Sequence, residues 1–126
     1  MPLNTVIDKK IGLLIRTVTG ELTFEEIKSS YETLLSNPDF QKDMHVIWDL
    51  RDADSSKFER EDIIRIARYF EAHLKDRADY KAAVVVSRDL EYDLTKVYQV
   101  AAADLPAKIG IFRSLEEAKK WVTEPD

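Results

Sequence analysis

The stretch AAVVVS, from Ala82 to Ser87, is an unbroken run of small and β-branched residues. A strand with one wet face alternates apolar and polar positions. An uninterrupted run is the mark of a strand covered on both faces. Such a strand belongs inside a sheet that carries other layers above and below it, and this restricts the chain to few architectures.

The hydrophobic period on either side of that run switches repeatedly between two and about 3.6. NTVID and IGLLIRTV, separated by Lys9-Lys10, read as a hairpin that ends at Gly20, with Ile11, Leu13 and Ile15 sharing one face. In LTFEEIKSSYETLLSNPDF, Phe24, Ile27, Tyr31, Leu34 and Leu35 fall on one side of a helix. Thr23 and Glu26 have the spacing of a capping box, and Asn37-Pro38 stops the helix. MHVIWDL is a strand. The helix after it turns Ile63, Ala67, Phe70 and Leu74 inward and pairs Glu61 with Arg65 and Glu71 with Lys75 on its wet face. A third helix presents Leu94, Val97, Tyr98, Ala101 and Ala102. AKIGIF is the last strand. SLEEAKKWV is the last helix, with Ser114 and Glu117 as a second capping box and Leu115, Ala118, Trp121 and Val122 as its buried stripe.

The order is ββαβαβαβα. Connections too long for hairpins after the first call for helical crossovers, hence an α/β domain with a mainly parallel mixed sheet flanked by helices. At 126 residues, positions 1–126 form a single domain large enough for its own core. The absence of cysteine excludes a disulfide framework, a thiolate zinc site and a cysteine nucleophile. No apolar run has the length of a transmembrane helix, and MPLNTVIDKKIG lacks the layout of a signal peptide, so a cytoplasmic protein is expected. A net charge of −5, with no Lys/Arg stripe, argues against nucleic acid as a partner.

In a parallel sheet the carboxyl ends of the strands share one edge, where ligands are commonly bound. VIWDLRDADSSKFERE brings Asp49, Asp52, Asp54, Ser55 and Ser56 to that edge, and the junctions after the next strands add Ser87, Arg88 and Arg113. Three readings compete. Asp52, Asp54 and Ser56 begin like a calcium loop, but Lys57 replaces the turn glycine and Ile63 stands where the bidentate glutamate belongs. The carboxylates then read as loop groups satisfied by nearby N–H groups or water. Phosphate on Ser55 or Ser56 would sit near a helix amino end. Against that, Ser56 and Glu59 also have capping-box spacing. Arg88 and Arg113 would supply the cationic half of an anion pocket. An enzyme would need Asp49 as nucleophile or base, with Arg88 or Arg113 stabilising developing charge.

His45 and His73 form no metal pair, and the glycines at 12, 20 and 110 build no phosphate loop, so neither metal nor cofactor is expected. Trp48, in phase with Val46 and Leu50, reads as core rather than as a ligand platform.

The opening hairpin, GELTFEEI, VIWDLRDAD, KAAVVVS and the closing IGIFRSLEEAKKWV together resemble the SpoIIAA-like branch of the STAS domains, the anti-sigma-factor antagonist fold, related in structure to the CRAL-TRIO lipid-binding fold. The resemblance covers nearly the whole chain. It implies a non-catalytic regulatory or protein-binding module whose serine, at the start of the second major helix, controls docking when phosphorylated. The family pattern there is Asp-Ser-Ser-Gly-Leu. Asp54, Ser55 and Ser56 match it, and Lys57-Phe58 depart from it. The related lipid-binding folds imply the alternative, a carrier that opens a cavity between helices and sheet for a small apolar or anionic ligand. Edge strands at the hairpin and at the chain's last strand make a homodimer the expected assembly.

Overall fold

A computed structural model describes residues 3–41, 43–74 and 79–125. Its elements follow the expected order: β1 (Leu3–Asp8), β2 (Leu13–Glu21), α1 (Phe24–Leu35), β3 (His45–Asp54), α2 (Arg60–Leu74), β4 (Tyr80–Val85), α3 (Asp89–Ala101), β5 (Ala107–Phe112) and α4 (Leu115–Thr123). The strands lie in the order β1-β2-β3-β4-β5, antiparallel only between β1 and β2. β1 and β5 are therefore the edges.

Alternation along each strand divides the side chains between two cores. Leu14, Val18, Val46 and Ala82 point to one face, where α1 and α2 bring Ile27, Tyr31, Leu34, Ile63, Ile66, Ala67 and Phe70 and α3 packs Leu94, Val97 and Tyr98 against them. Leu13, Ile47, Ala83 and Val85 point to the other, against Ala118 and Val122 of α4. All six residues of β4 are buried, as its unbroken run predicts. Lys81 is among them, and its Nζ donates to the carbonyls of Trp121 and Glu124 at 3.0 and 2.7 Å, so the ammonium closes the carboxyl end of α4.

Several local expectations change. Ile11 does not join Leu13 and Ile15. It lies in the hairpin turn, 54% exposed, beside Gly12, whose φ of 64° a β-branched residue would resist. The N-cap half of two boxes forms: Thr23 Oγ1 accepts from the Glu26 N–H at 3.2 Å and Ser114 Oγ from the Glu117 N–H at 3.3 Å. The box between Ser56 and Glu59 does not. A turn closed by the Phe58 N–H on the Ser55 carbonyl, at 3.0 Å, keeps Ser56 out of the helix, and α2 starts only at Arg60. There the Glu59 N–H donates to Asp62 Oδ2 at 2.8 Å. Arg65 reaches Glu25 at 3.6 Å and lies over the Phe24 ring instead of pairing with Glu61. The Glu71–Lys75 pairing and the side chain of Leu74 lie outside the described residues. No described helix is long and apolar enough to cross a membrane.

Candidate functional site

The junctions after β3, β4 and β5 meet on one rim. Ser87 Oγ donates to the Arg51 carbonyl at 2.8 Å, Arg88 Nη2 to the Ala53 carbonyl at 3.2 Å, and Arg113 Nη1 to the Ser87 carbonyl at 3.0 Å. The acidic stretch itself is strand rather than loop. After a register shift between Thr17 and Thr19, β3 continues to pair with β2 as far as Asp54, so Asp49, Asp52 and Asp54 have strand hydrogen bonding behind them.

Most polar groups on this rim have an assigned neighbour. Asp49 is buried on the α4 side of the sheet, and Arg51 grips both its oxygens, Nε to Oδ1 at 2.9 Å and Nη2 to Oδ2 at 2.8 Å. Those bonds hold the Asp49 carboxyl below the usual carboxylate range, outweighing its partial burial. Asp54 is exposed, and its pKa is lowered by the Ser56 hydroxyl first and then by the Ser56 N–H, which donates to it at 3.0 Å. Arg88 binds Glu91 through two bonds, of 2.7 and 2.8 Å, and Arg113 meets Asp89 at 2.8 Å. Both guanidiniums expected to form an anion pocket thus already hold carboxylates. Of the two serines, Ser55 is only 4% exposed, whereas Ser56 faces solvent, as does Asp52.

Behind the rim, between the sheet and the helices α1, α2 and α3, lies a cavity of about 130 Å³. Its floor is the sheet face carrying Leu14, Arg16, Val46, Trp48, Leu50 and Val84. Its roof includes Ile27, Tyr31, Ile66, Phe70, Leu94 and Tyr98. Ser55 and Glu91 line it next to the rim. The Glu91 side chain is 1% exposed, and its charge is met by Arg88 from outside. Burial pushes the Tyr98 phenol far above its ordinary value, so it stays neutral. Arg16 is 2% exposed. Its Nε donates to Thr5 Oγ1 at 3.3 Å and its Nη2 to Ser30 Oγ at 2.6 Å, and its guanidinium lies 4.7 Å from the centre of the Trp48 ring. Burial lowers its pKa to about 10, which leaves it charged at neutral pH.

No protein-family model and no curated protein matches the sequence. Among solved structures, the chain is similar to an uncharacterized protein from the DUF3478 family with a SpoIIAA-like fold, from Shewanella loihica PV-4, whose crystal structure is at 2.25 Å resolution. The similarity covers 95% of this chain and 91% of that one, with a TM-score of 0.59 at 17% sequence identity. The fold is SpoIIAA-like. At that identity the likeness bears on the architecture alone.

Within this SpoIIAA-like fold, the rim gathers every residue the sequence placed there, Asp49 and Ser55 as buried members and the rest exposed. Sequence reasoning passed over Arg16 and Glu91. The signal for Arg16 was its phase, since it alternates with Leu14 and Val18, both inward-facing apolar positions. Glu91 likewise falls on the stripe of Leu94, Thr95, Tyr98 and Ala102. Trp48 serves as core and as cavity wall at once. His45 Nδ1 accepts from the Lys81 N–H at 2.9 Å, and His73 Nδ1 lies 2.7 Å from the Tyr69 carbonyl, so each histidine is tied to backbone.

Proposed function

We propose that this SpoIIAA-like domain is a non-catalytic binding module that takes a small, mainly apolar molecule into the space between its sheet and its three covering helices. The cavity carries this reading. Well-packed interiors have few voids larger than a water molecule. Here side chains from all three helices and four strands leave about 130 Å³ open, with apolar walls and few polar groups, the composition typical of a ligand pocket. Asp49 offers little as a nucleophile or base, because Arg51 occupies both its oxygens and it lies on the opposite sheet face.

The reading is tested by titrating toluene into isotope-labelled protein and following backbone amide shifts. Changes centred on Leu14, Val46, Ile66 and Tyr98 are expected. Spectra unchanged by toluene and by benzoate alike refute it.

A second reading has its own support on the rim, where Asp52, Asp54 and Ser56 face solvent beside the cavity wall at Ser55. A phosphate on Ser56 would place more negative charge against Asp54, whose bond to the Ser56 N–H shapes the turn. This fits a regulatory module that docks a protein partner in a phosphorylation-sensitive way. A partner that binds wild type and Ser56→Ala alike but is lost on Ser56→Asp supports it. Equal binding by all three forms opposes it.

A further inference from the structure

Four charged side chains are buried among the described residues and are not treated alike, Lys81 lying on the carbonyls that end α4. Asp49 has Arg51, and Glu91 has Arg88, each through two short hydrogen bonds. Arg16, which lines the cavity, has only hydroxyls. No carboxylate of the described residues comes within ion-pair distance of it, and the lowering of its pKa by burial is opposed by the Tyr31 phenol and not by a carboxylate.

A guanidinium carries five N–H donors in a planar fork. In Arg16 two of them are used, and Nη1 makes no hydrogen bond to the described residues. Ser30 is held in place as an acceptor, because its own hydroxyl donates to the Ile27 carbonyl at 2.9 Å. Glu26, one turn earlier on α1, gives one oxygen to the Thr23 hydroxyl at 3.2 Å while its buried Oε2 has no hydrogen-bond partner, and neither oxygen is within ion-pair distance of Arg16. The Trp48 ring offsets part of the cost of burial by its quadrupole, but it supplies no negative charge. A cation withdrawn from water without a counter-ion is among the costliest arrangements a protein interior can hold. Arginine cannot escape by losing its proton at neutral pH.

From this we infer that the cavity's ligand is a small carboxylic acid bound as its anion, with the carboxylate on Arg16 and the apolar body against Trp48 and the helix side chains. The inference rests on the reading of the cavity as a ligand site. Two carboxylate oxygens match the fork of a guanidinium. A single negative charge matches the one cation in the cavity lining, whereas a phosphate monoester brings between one and two charges and would leave an excess in apolar surroundings. Size limits the body. A cavity of about 150 Å³ accommodates a benzene ring, and this one is about 130 Å³. One ring or a short chain fits, and a two-chain lipid does not.

The experiment compares three probes of nearly equal shape on the full chain at neutral pH, by calorimetry and amide shifts: benzoate, toluene and benzylamine in its ammonium form. Benzoate should bind at least about ten-fold more tightly than toluene, as expected for hydrogen bonds to a charged group in mainly apolar surroundings, and the ammonium should not bind. Arg16→Met, which keeps apolar bulk, should erase the preference for benzoate and leave toluene bound. Toluene binding as well as or better than benzoate to the wild type overturns the assignment of an anion while the cavity reading survives. Failure of all three probes removes both. Undiminished benzoate binding by Arg16→Met also overturns the assignment, and palmitate binding more tightly than benzoate overturns the one-ring limit. The wild-type series decides the matter even if Arg16→Met does not fold.

Discussion

Arg16 and Trp48 are register partners across β2 and β3, and the guanidinium of the one lies 4.7 Å from the ring centre of the other. The pairing follows from parallel strands, which put the two residues side by side on the cavity face of the sheet. A cation over an indole face is held by the ring's quadrupole, and the same ring forms cavity wall.

Trp48 is therefore a reporter for the cavity, and Trp121, packed with α4 on the opposite face, is its internal control. In a Trp121→Phe protein, saturating benzoate should shift or quench the Trp48 emission. In a Trp48→Phe protein the emission of Trp121 should stay unchanged. Equal responses from the two indoles would contradict the location of the site.

Asp49 provides a test in pH. Its pKa is depressed in the folded state by Arg51, so it binds fewer protons there than in the unfolded chain. The stability it contributes is fully present above the unfolded carboxyl value of about 4 and is lost as the pH falls through the lower folded value. Asp49→Asn should cost under about 1 kcal/mol at neutral pH, since Arg51 is partly exposed. The gap in urea midpoint between wild type and variant should close below pH 4. Toluene and benzoate binding should be unaffected, because Asp49 faces α4.

The helix starts make a contrast that the spacing of residues alone would miss. Thr23→Ala removes a formed cap and should destabilise the protein by about 1 kcal/mol. Ser56→Ala removes a hydroxyl that caps nothing and should stay within about 0.5 kcal/mol of wild type. Chemical denaturation of the two variants side by side checks this, and similar losses would mean that Ser56 does cap α2.

Lys81 ties α4 to the sheet from inside. Lys81→Met keeps the stem but strips the donors from the Trp121 and Glu124 carbonyls, at a cost of about 1–3 kcal/mol in urea denaturation. Amide exchange should accelerate in the last turn of α4 and remain near wild type in α1. A uniform acceleration would show that the bond supports the whole fold rather than that helix.

Much of the architecture was legible because it depends on near neighbours in the chain. The run from Ala82 to Ser87 required two covering layers, and both are there. Thr23/Glu26 and Ser114/Glu117 are local devices, closed within one turn. Ser56/Glu59 had the same spacing and failed, because pairing with β2 draws β3 out to Asp54 and displaces the start of the helix. Strand pairing is a long-range interaction, and spacing along the chain does not register it.

The rim and the cavity divide along the same line. Chain order alone determined that the ends of β3, β4 and β5 lie together, since parallel strands with crossovers have no other arrangement. Which charges meet there was settled by geometry: Arg88 turns to Glu91 and Arg113 to Asp89, so the cations the sequence left available are already engaged. The cavity was decided by tertiary structure entirely. An empty volume is the difference between the space helices and sheet enclose and the side chains that fill it, a small remainder of large quantities contributed by distant residues. The burial of Arg16 without a carboxylate belongs with it, because strand phase sends that side chain inward while only packing determines what it finds there.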